Sequence, residues 1–348
     1  MQCASLTLVA LLGIQVICGG GVTHHITPDP LANLDCPMGE SCLNLSTFAA
    51  NASNYTDSKG TTLIFLAGNH TLDSDFSVSN VTLLKLLTNC SKMPTITCNH
   101  GTHMHFVDIA DIEIQNLHFV GCQSVVQSVE QFVLEDSKFH GTNGYGSALK
   151  LDQIYAAAII SSSFTFNSHN IVVHQDLNIS SSFSSRGGGA LAISESSLQI
   201  SQSQFIDNTA GLGGAIFLER NSIVTINDLH FADNSVESCD GFNCYGGAMY
   251  IDSGCAVTAC NNTFLNNTSE YGGGAIAVFQ ATYRDIQNTF RYNRVYYHGG
   301  MLYKFISGLA TYCSSSGVGG NGAVIFAQNG TQIVSVESFF TKIGRAHV

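Results

Sequence analysis

The chain has 348 residues, 45% of them hydrophobic, which is enough to bury a sizeable core, yet only 11% are charged and tryptophan is absent. Thirteen Lys and Arg against 25 Asp and Glu leave a formal net charge of -12. No basic residues cluster, which excludes a nucleic-acid partner, because phosphate contact draws on grouped cations.

Residues 6–17 form an apolar run that ends in the small residues 18–21 (CGGG). That is the length and ending of a signal-peptide core rather than of a membrane span, so residues 1–20 are expected to be a signal peptide. A secreted or extracellular-surface location follows, and the cysteines beyond residue 20 should mostly pair in that oxidising compartment. N-x-Ser/Thr acceptors agree with it: Asn44, Asn51, Asn54, Asn69, Asn80, Asn89, Asn178, Asn261, Asn266 and Asn329 are candidate glycosylation sites.

Residues 21–105 read as an irregular N-terminal cap and first coil, with apolar runs at 61–66 (TTLIFL) and 81–87 (VTLLKLL). A stack of coils needs such a cap, because its end rung otherwise shows an open sheet edge. Cys36 with Cys42, and Cys90 with Cys98, are close enough in sequence to staple loops here, although spacing does not fix connectivity. His100, His103 and His105 (HGTHMH) have zinc-like spacing, with the last two on one strand face. They lack a further ligand from a fixed frame, so no metal and no cofactor is assigned.

From Ile112 a register appears. Apolar residues fall seven and five positions before each Phe: Ile112 and Ile114 before Phe119, Phe132 and Leu134 before Phe139, Leu198 and Ile200 before Phe205, Val224 and Ile226 before Phe231. Period-2 pairs are strands with one face inward, and the odd offset to Phe marks a bend between two strands. Within 188–293 a Gly-Gly strand joins them, as GGALAI at Gly188, GGAIFL at Gly213, GGAMYI at Gly246 and GGAIAV at Gly273. These close on FIDN at Phe205, FADN at Phe231, FLNN at Phe264 and FRYN at Phe290. Three short strands in 20 to 26 residues make one coil, so the fold expected over 106–341 is an all-β, right-handed parallel β-helix. Longer intervals are assigned to insertions at 168–186 and 237–245. Cys239 and Cys244 share the second insertion, and Cys255 and Cys260 flank the next turn; all four are disulfide candidates.

Repeat position assigns roles. Asn208, Asn234, Asn267 and Asn293 should stack into an amide ladder, which leaves Asn266 rather than Asn267 to carry a glycan. Asp207 and Asp233 share a turn place and read as solvated turn residues, not as a calcium site or catalytic pair. Tyr283 and Asp285 stand where aliphatics are required, so a charge faces inward unless that strand shifts by one. Past residue 293 the register decays, and the tail 342–348 (KIGRAHV) reads as the translation of a sequencing adapter, a non-native tail.

The paired GGAI-type and FxxN motifs resemble the repeats of polymorphic outer-membrane proteins, and more broadly the right-handed parallel β-helix superfamily. The similarity spans roughly 112–301 and implies a surface or secreted adhesin-like scaffold. That bacterial family also carries a C-terminal membrane β-barrel, and no series of amphipathic strands here reads as one. Together with the sequons, this points to a secreted eukaryotic relative. The expected function is a non-enzymatic, glycosylated extracellular scaffold that contacts proteins or glycans, without a catalytic residue or a membrane span. The alternative is a carbohydrate-active lyase or hydrolase on the same fold, recognisable by two convergent carboxylates or by a carboxylate beside Lys or Arg.

Overall fold

A computed structural model describes residues 21–28, 42–99, 102–144, 146–169, 187–237 and 244–296, together with the strands Leu302–Phe305, Ala310–Cys313, Ile325–Gln328, Gln332–Val336 and Phe339–Thr341. The expected signal peptide, Cys36, His100, Asn178, Cys239, Asn329, most of both insertions and the tail 342–348 lie outside the described residues.

The chain winds as a parallel β-helix. One coil shows the anatomy. Leu191–Ser194 turns at Glu195 into Ser197–Ser201, which turns at Gln202 into Gln204–Ile206, which turns at Asp207 into the two-residue strand Thr209–Ala210. Each turn residue sits in the left-handed region, at φ 47, 51 and 54°. Each strand pairs in parallel with its counterpart one coil on, for example Leu191 with Ile216, Leu198 with Val224 and Phe205 with Phe231. The first two strands of every coil belong to one 20-stranded sheet bent along its length, the Phe strands form a ten-stranded sheet, and the short strands form a six-stranded one. In earlier coils the first two strands fuse into His103–Gln115, Gln123–Glu135 and Leu149–Ile160, bent at Asp108, Ser128 and Gln153.

The Gly-Gly start has a steric cause at each glycine. Gly213 has φ 56°, and a side chain there would bring its Cβ to 2.1 Å from Ile216 O. Gly214 faces the next coil, where a Cβ would meet Gly247 O at 2.3 Å. The first glycine therefore makes the turn and the second lets adjacent coils close to rung distance.

Inside, alternating Leu, Ile and Val side chains are buried, and the Phe residues stack as one column. Ring centroids from Phe119 through Phe139, Phe164, Phe205, Phe231 and Phe264 to Phe290 lie 4.6, 5.2, 5.0, 5.1, 4.7 and 4.8 Å apart. Beside it runs the expected amide ladder. Asn208 Nδ2 donates to Asn234 Oδ1 at 3.0 Å, Asn234 Nδ2 to Asn267 Oδ1 at 2.9 Å, and Asn267 Nδ2 to Asn293 Oδ1 at 2.9 Å. Asn167 extends the ladder by one coil, donating to Asn208 Oδ1 at 3.0 Å. A second polar file stands two residues before the Phe column: the hydroxyls of Ser137, Ser162 and Ser203 accept the preceding coil's backbone N–H, and Asn262 and Asn288 do the same further on.

Parallel pairing also runs upstream of residue 106. Val22–Thr27 pairs with Thr61–Phe65, which pairs with Leu83–Thr88, which pairs with His103–Gln115. Two short helices, Leu45–Ala50 and Ala52–Tyr55, interrupt these coils. The first is capped by Asn44, whose Oδ1 accepts Thr47 N–H at 2.7 Å, and it places Phe48 edge-on against Phe76. No helix among the described residues is long and apolar enough to cross a membrane.

Three cysteine expectations are corrected. Cys98 bonds not to Cys90 but to Cys122, 24 residues on, because the two lie one coil apart with Cα atoms 4.9 Å from each other. Cys90 is a free thiol. Cys255 is also free and buried, whereas Cys42, Cys244 and Cys260 are disulfide-bonded. Proximity in sequence is a poor guide here, since stacking makes residues one coil away the nearer neighbours. The strand at Tyr283 does not shift: Tyr283 pairs with Val257 and Asp285 with Ala259, and both side chains are fully buried. Tyr283 Oη donates to Asp285 Oδ1 at 3.2 Å, and Asn288 Nδ2 donates to the same oxygen.

Candidate functional site

The ladders occupy the inside and the turns, so any recognition surface must use outward side chains. The richest such face belongs to the Gly-Gly strands. Along it Leu149, Leu151, Leu191, Ile193, Ile216, Leu218, Met249 and Ile251 point inward, and the residues between them point out. Strand register aligns these outward residues in two rows. One row is Lys150, Ala192, Phe217, Tyr250 and Ala277, and the other is Asp152, Ser194 and Glu219.

The far end of this face is aromatic. Phe217 and Tyr250 stack with centroids 5.5 Å apart, and Tyr250 and Phe279 at 5.0 Å. Tyr245 meets Phe279 edge-on at 5.2 Å. Phe217 is only 3% exposed, and a Cβ on Gly187 would stand 2.3 Å from its ring, so the ring rests on that glycine. Burial pushes the Tyr250 phenol well above its ordinary value, with Asp252 and Tyr245 adding to the shift.

The near end is charged. Asp152 is 4% exposed; burial raises its pKa, while Lys150 and then Ser194 draw it back. Burial lowers Lys150, while Asp152 and Glu219 pull it up. Opposite shifts from desolvation, each partly offset by the other charge, mark a cation and a carboxylate sharing a poorly hydrated place. Arg220 stands 3.8 Å from Glu195 and 3.9 Å from Glu219. A file of turn side chains borders them, Ser128 Oγ donating to Gln153 Oε1 at 3.2 Å and Gln153 Nε2 to Glu195 Oε2 at 3.4 Å. Ser194, 3% exposed, lies beside Asp152, and its hydroxyl hydrogen-bonds that carboxylate.

Sequence reasoning did not single out this group. The signal was present, since residues 146–149 (GSAL) are a Gly-Gly-Ala-Leu start with one glycine replaced, and the outward positions follow from it.

The residues considered earlier fall elsewhere. Asp207 and Asp233 are turn residues at φ 54 and 55°. Burial and then the charge of Asp233 raise Asp207, and Asn266 Nδ2 donates to Asp233 Oδ1. The rings of His103 and His105 are 5.7 Å apart, and burial followed by the charge of His103 lowers His105. No group of three or more His, Cys, Asp or Glu that could hold a metal occurs among the described residues. Of the sequon asparagines, Asn51, Asn54, Asn69, Asn80, Asn89, Asn261 and Asn266 are exposed, Asn44 is partly exposed, and Asn267 is buried in the ladder.

Residues 263–278 match the model of the Chlamydia polymorphic membrane protein repeat. The matched stretch runs from the strand Thr263–Leu265 through the ladder residue Asn267 to the Gly-Gly strand Ile276–Phe279, so it contains both halves of the coil unit. No curated protein and no solved structure matches the chain. A repeat of this type within a parallel β-helix points to a surface, adhesin-like protein, and the named family is bacterial. Nothing in the coils or the match favours the secreted eukaryotic relative inferred from the sequons.

Proposed function

We propose that the protein is an extracellular, glycosylated scaffold that makes adhesive contacts with proteins or glycans through its rigid outer faces. The observation that carries this reading is the continuous internal lock. Parallel strands run throughout, and from Phe119 to Asn293 the Phe column and amide ladder lock the coils in register, so outward side chains recur about every 4.8 Å on an unyielding surface. Such a surface suits many weak contacts made together, because a rigid array avoids the ordering cost that a flexible one meets at each contact. The repeat match supports a surface role. Exposed sequon asparagines support glycan attachment, and the Cys98–Cys122 bond suits an oxidising compartment.

Two measurements test it. Beads coated with the full chain should adhere saturably to cells or extracellular matrix, and heat-unfolded chain should not support adhesion; adhesion equal to that of albumin-coated beads would overturn the scaffold reading. Glycopeptide mapping after secretion from a glycosylating host should find occupancy at exposed sites such as Asn54, Asn80 and Asn261, and none at Asn267. Empty sequons throughout would remove glycosylation from the proposal.

One observation favours a second reading, a carbohydrate-active lyase or hydrolase: Asp152 with its raised pKa lies beside Lys150. Turnover of neutral or acidic polysaccharides that Asp152→Asn abolishes would replace the scaffold by an enzyme.

A further inference from the structure

The turn that ends each Phe strand forms a file along the stack. Gly121, Gly141, Phe166, Asp207 and Asp233 stand in it at rung spacing, each backbone N–H donating to the next coil, as Gly141 does to Thr165 O and Phe166 to Ile206 O, both at 3.1 Å. All five are left-handed, with φ from 54 to 68°. Glycine adopts that conformation freely and aspartate tolerates it, whereas a bulky residue is strained there. Phe166 is 58% exposed, so its ring returns little core packing for the strain, and folding does not account for it. An outlier of this kind points toward function.

The surface beside Phe166 is open. Gly141, its neighbour one coil back, has nothing within 4 Å of the place a Cβ would take, and Gly121 behind it would meet only Cys98 O, at 3.2 Å. The two glycines make a shelf of bare backbone two rungs deep, about 10 Å, with Phe166 as its end wall. His140 borders the shelf. Its ring meets Phe166 edge-on at 5.5 Å, and its Nδ1 shares a hydrogen bond of 2.9 Å with Thr165 Oγ1, which holds the imidazole and leaves Nε2 for a ligand. His118 continues the row, 6.2 Å from His140.

We propose that the shelf beside Phe166 binds one neutral pyranose unit of a glycan. The inference rests on the scaffold reading and names the ligand class and the place of its glycan contacts. The apolar C–H face of a pyranose stacks on the exposed aromatic ring, and the sugar hydroxyls exchange hydrogen bonds with His140 Nε2 and Thr165 Oγ1. Size selects this ligand, because one ring bordered by imidazole, hydroxyl and glycine falls far short of the roughly 800 Å² per partner that a stable protein interface covers. Charge selects a neutral unit. Gly121, Gly141, Thr165 and Phe166 carry none, and Lys138, two residues before His140, is offset by Asp207, one coil beyond Phe166.

The test uses the full chain, with the methyl glycosides of glucose, galactose, mannose and N-acetylglucosamine as probes in saturation-transfer NMR and titration. At least one should bind, with saturation strongest on the C–H protons of one ring face. Phe166→Asn, which suits the left-handed turn, and Gly141→Asn, which puts a side chain on the shelf, should each weaken that binding at least about tenfold with unchanged circular dichroism. Tyr155→Ser removes an 84% exposed ring on a different face and should leave it unaltered. Phe166→Asn should also unfold at the same or a higher denaturant concentration, since it relieves strain. Absence of binding by every probe, unaltered affinity in both shelf variants, or a lower unfolding midpoint in Phe166→Asn overturns the site, the last because the ring would then be kept for stability. Bead adhesion separates the two readings: adhesion that persists in Phe166→Asn and is untouched by free glycoside sinks the shelf and leaves the scaffold standing, while glycoside binding that Phe166→Asn abolishes, without bead adhesion, does the reverse.

Discussion

Asn267 Oδ1 accepts two hydrogen bonds from Asn234, one from its side-chain Nδ2 at 2.9 Å and one from its backbone N–H at 3.1 Å. Asn267 in turn donates to Asn293 Oδ1 and to Phe231 O. Asn208, Asn234 and Asn267 thus each tie together the coils on either side, using every hydrogen-bonding site an amide has. Asn234→Ala should leave Asn208 without its acceptor and Phe205 O without its side-chain donor. A loss of about 2–4 kcal/mol follows from leaving two or more buried groups unmatched. Asn54→Ala, exposed in the helix Ala52–Tyr55 and outside the ladder, should cost under about 0.5 kcal/mol. Equal midpoints for both variants in denaturant unfolding would show that the ladder does not stabilise the coils.

The Phe column should behave as one packed unit. Phe231 is fully buried between Phe205 at 5.1 Å and Phe264 at 4.7 Å. Phe231→Ala removes a ring and two stacking contacts, an expected loss of about 3–5 kcal/mol. Phe231→Leu keeps most of the volume and should lose less than half as much in the same experiment.

How much of this was legible beforehand depended on whether a feature repeated. Phe205, Phe231, Phe264 and the asparagines three residues after them recur at fixed offsets, and both the strand period and the coil follow from them. Asn167 obeys the same rule after Phe164 but lies upstream of the Gly-Gly strands, which hid it. The Lys150, Asp152 and Ser194 group was not legible. Its members are distant in sequence and meet only because stacking brings coils together, and the fused strand Leu149–Ile160 disguises the first of them. The Cys98–Cys122 bond was missed for the same reason.

The buried pair in the coil of Phe290 offers a test of cost against specificity. Tyr283 and Asp285 replace the Val and Ile or Ala that fill these places in the two preceding coils, as Val224 and Ile226 and then Val257 and Ala259. Asp285→Ile alone strands the Tyr283 hydroxyl and should destabilise by roughly 1–3 kcal/mol. Tyr283→Val with Asp285→Ile restores an apolar pair and should recover the share of that loss due to the Tyr283 hydroxyl, while the Asn288 amide stays without its Asp285 acceptor in both variants. A double variant no more stable than Asp285→Ile alone would show that the hydroxyl is not the cause.

His118 supplies a pH dependence with a definite sign. Burial first, then the charges of His140 and Lys138, lower its pKa below the ordinary 6.5. A group whose folded value is depressed contributes stability above its unfolded value, and that contribution is lost as pH falls through the folded one. The unfolding midpoint should therefore drop as pH falls below about 6.5, and His118→Gln should flatten that drop while changing little at pH 8. The imidazole titration followed by NMR should show His118 protonating at lower pH than a model histidine, and an equal or higher value would refute the assignment.

Thiol chemistry separates two free cysteines among the described residues, Cys90 and Cys255, from the bonded pair Cys98–Cys122. Cys255 is buried, and burial, the largest cause, pushes its thiol up to about 11, so little thiolate forms near neutrality and reagent access is poor. Cys90 is partly exposed. Iodoacetamide at pH 8 should label Cys90 in the folded chain and Cys255 only after denaturation, as read by peptide mass. Cys122→Ser should lower stability by about 2–4 kcal/mol, because the bond to Cys98 closes a loop of 24 residues in the unfolded chain. Cys90→Ser should lower it by no more than about 0.5 kcal/mol. A large loss in Cys90→Ser with none in Cys122→Ser would reverse the pairing and restore the local staple that sequence spacing suggests.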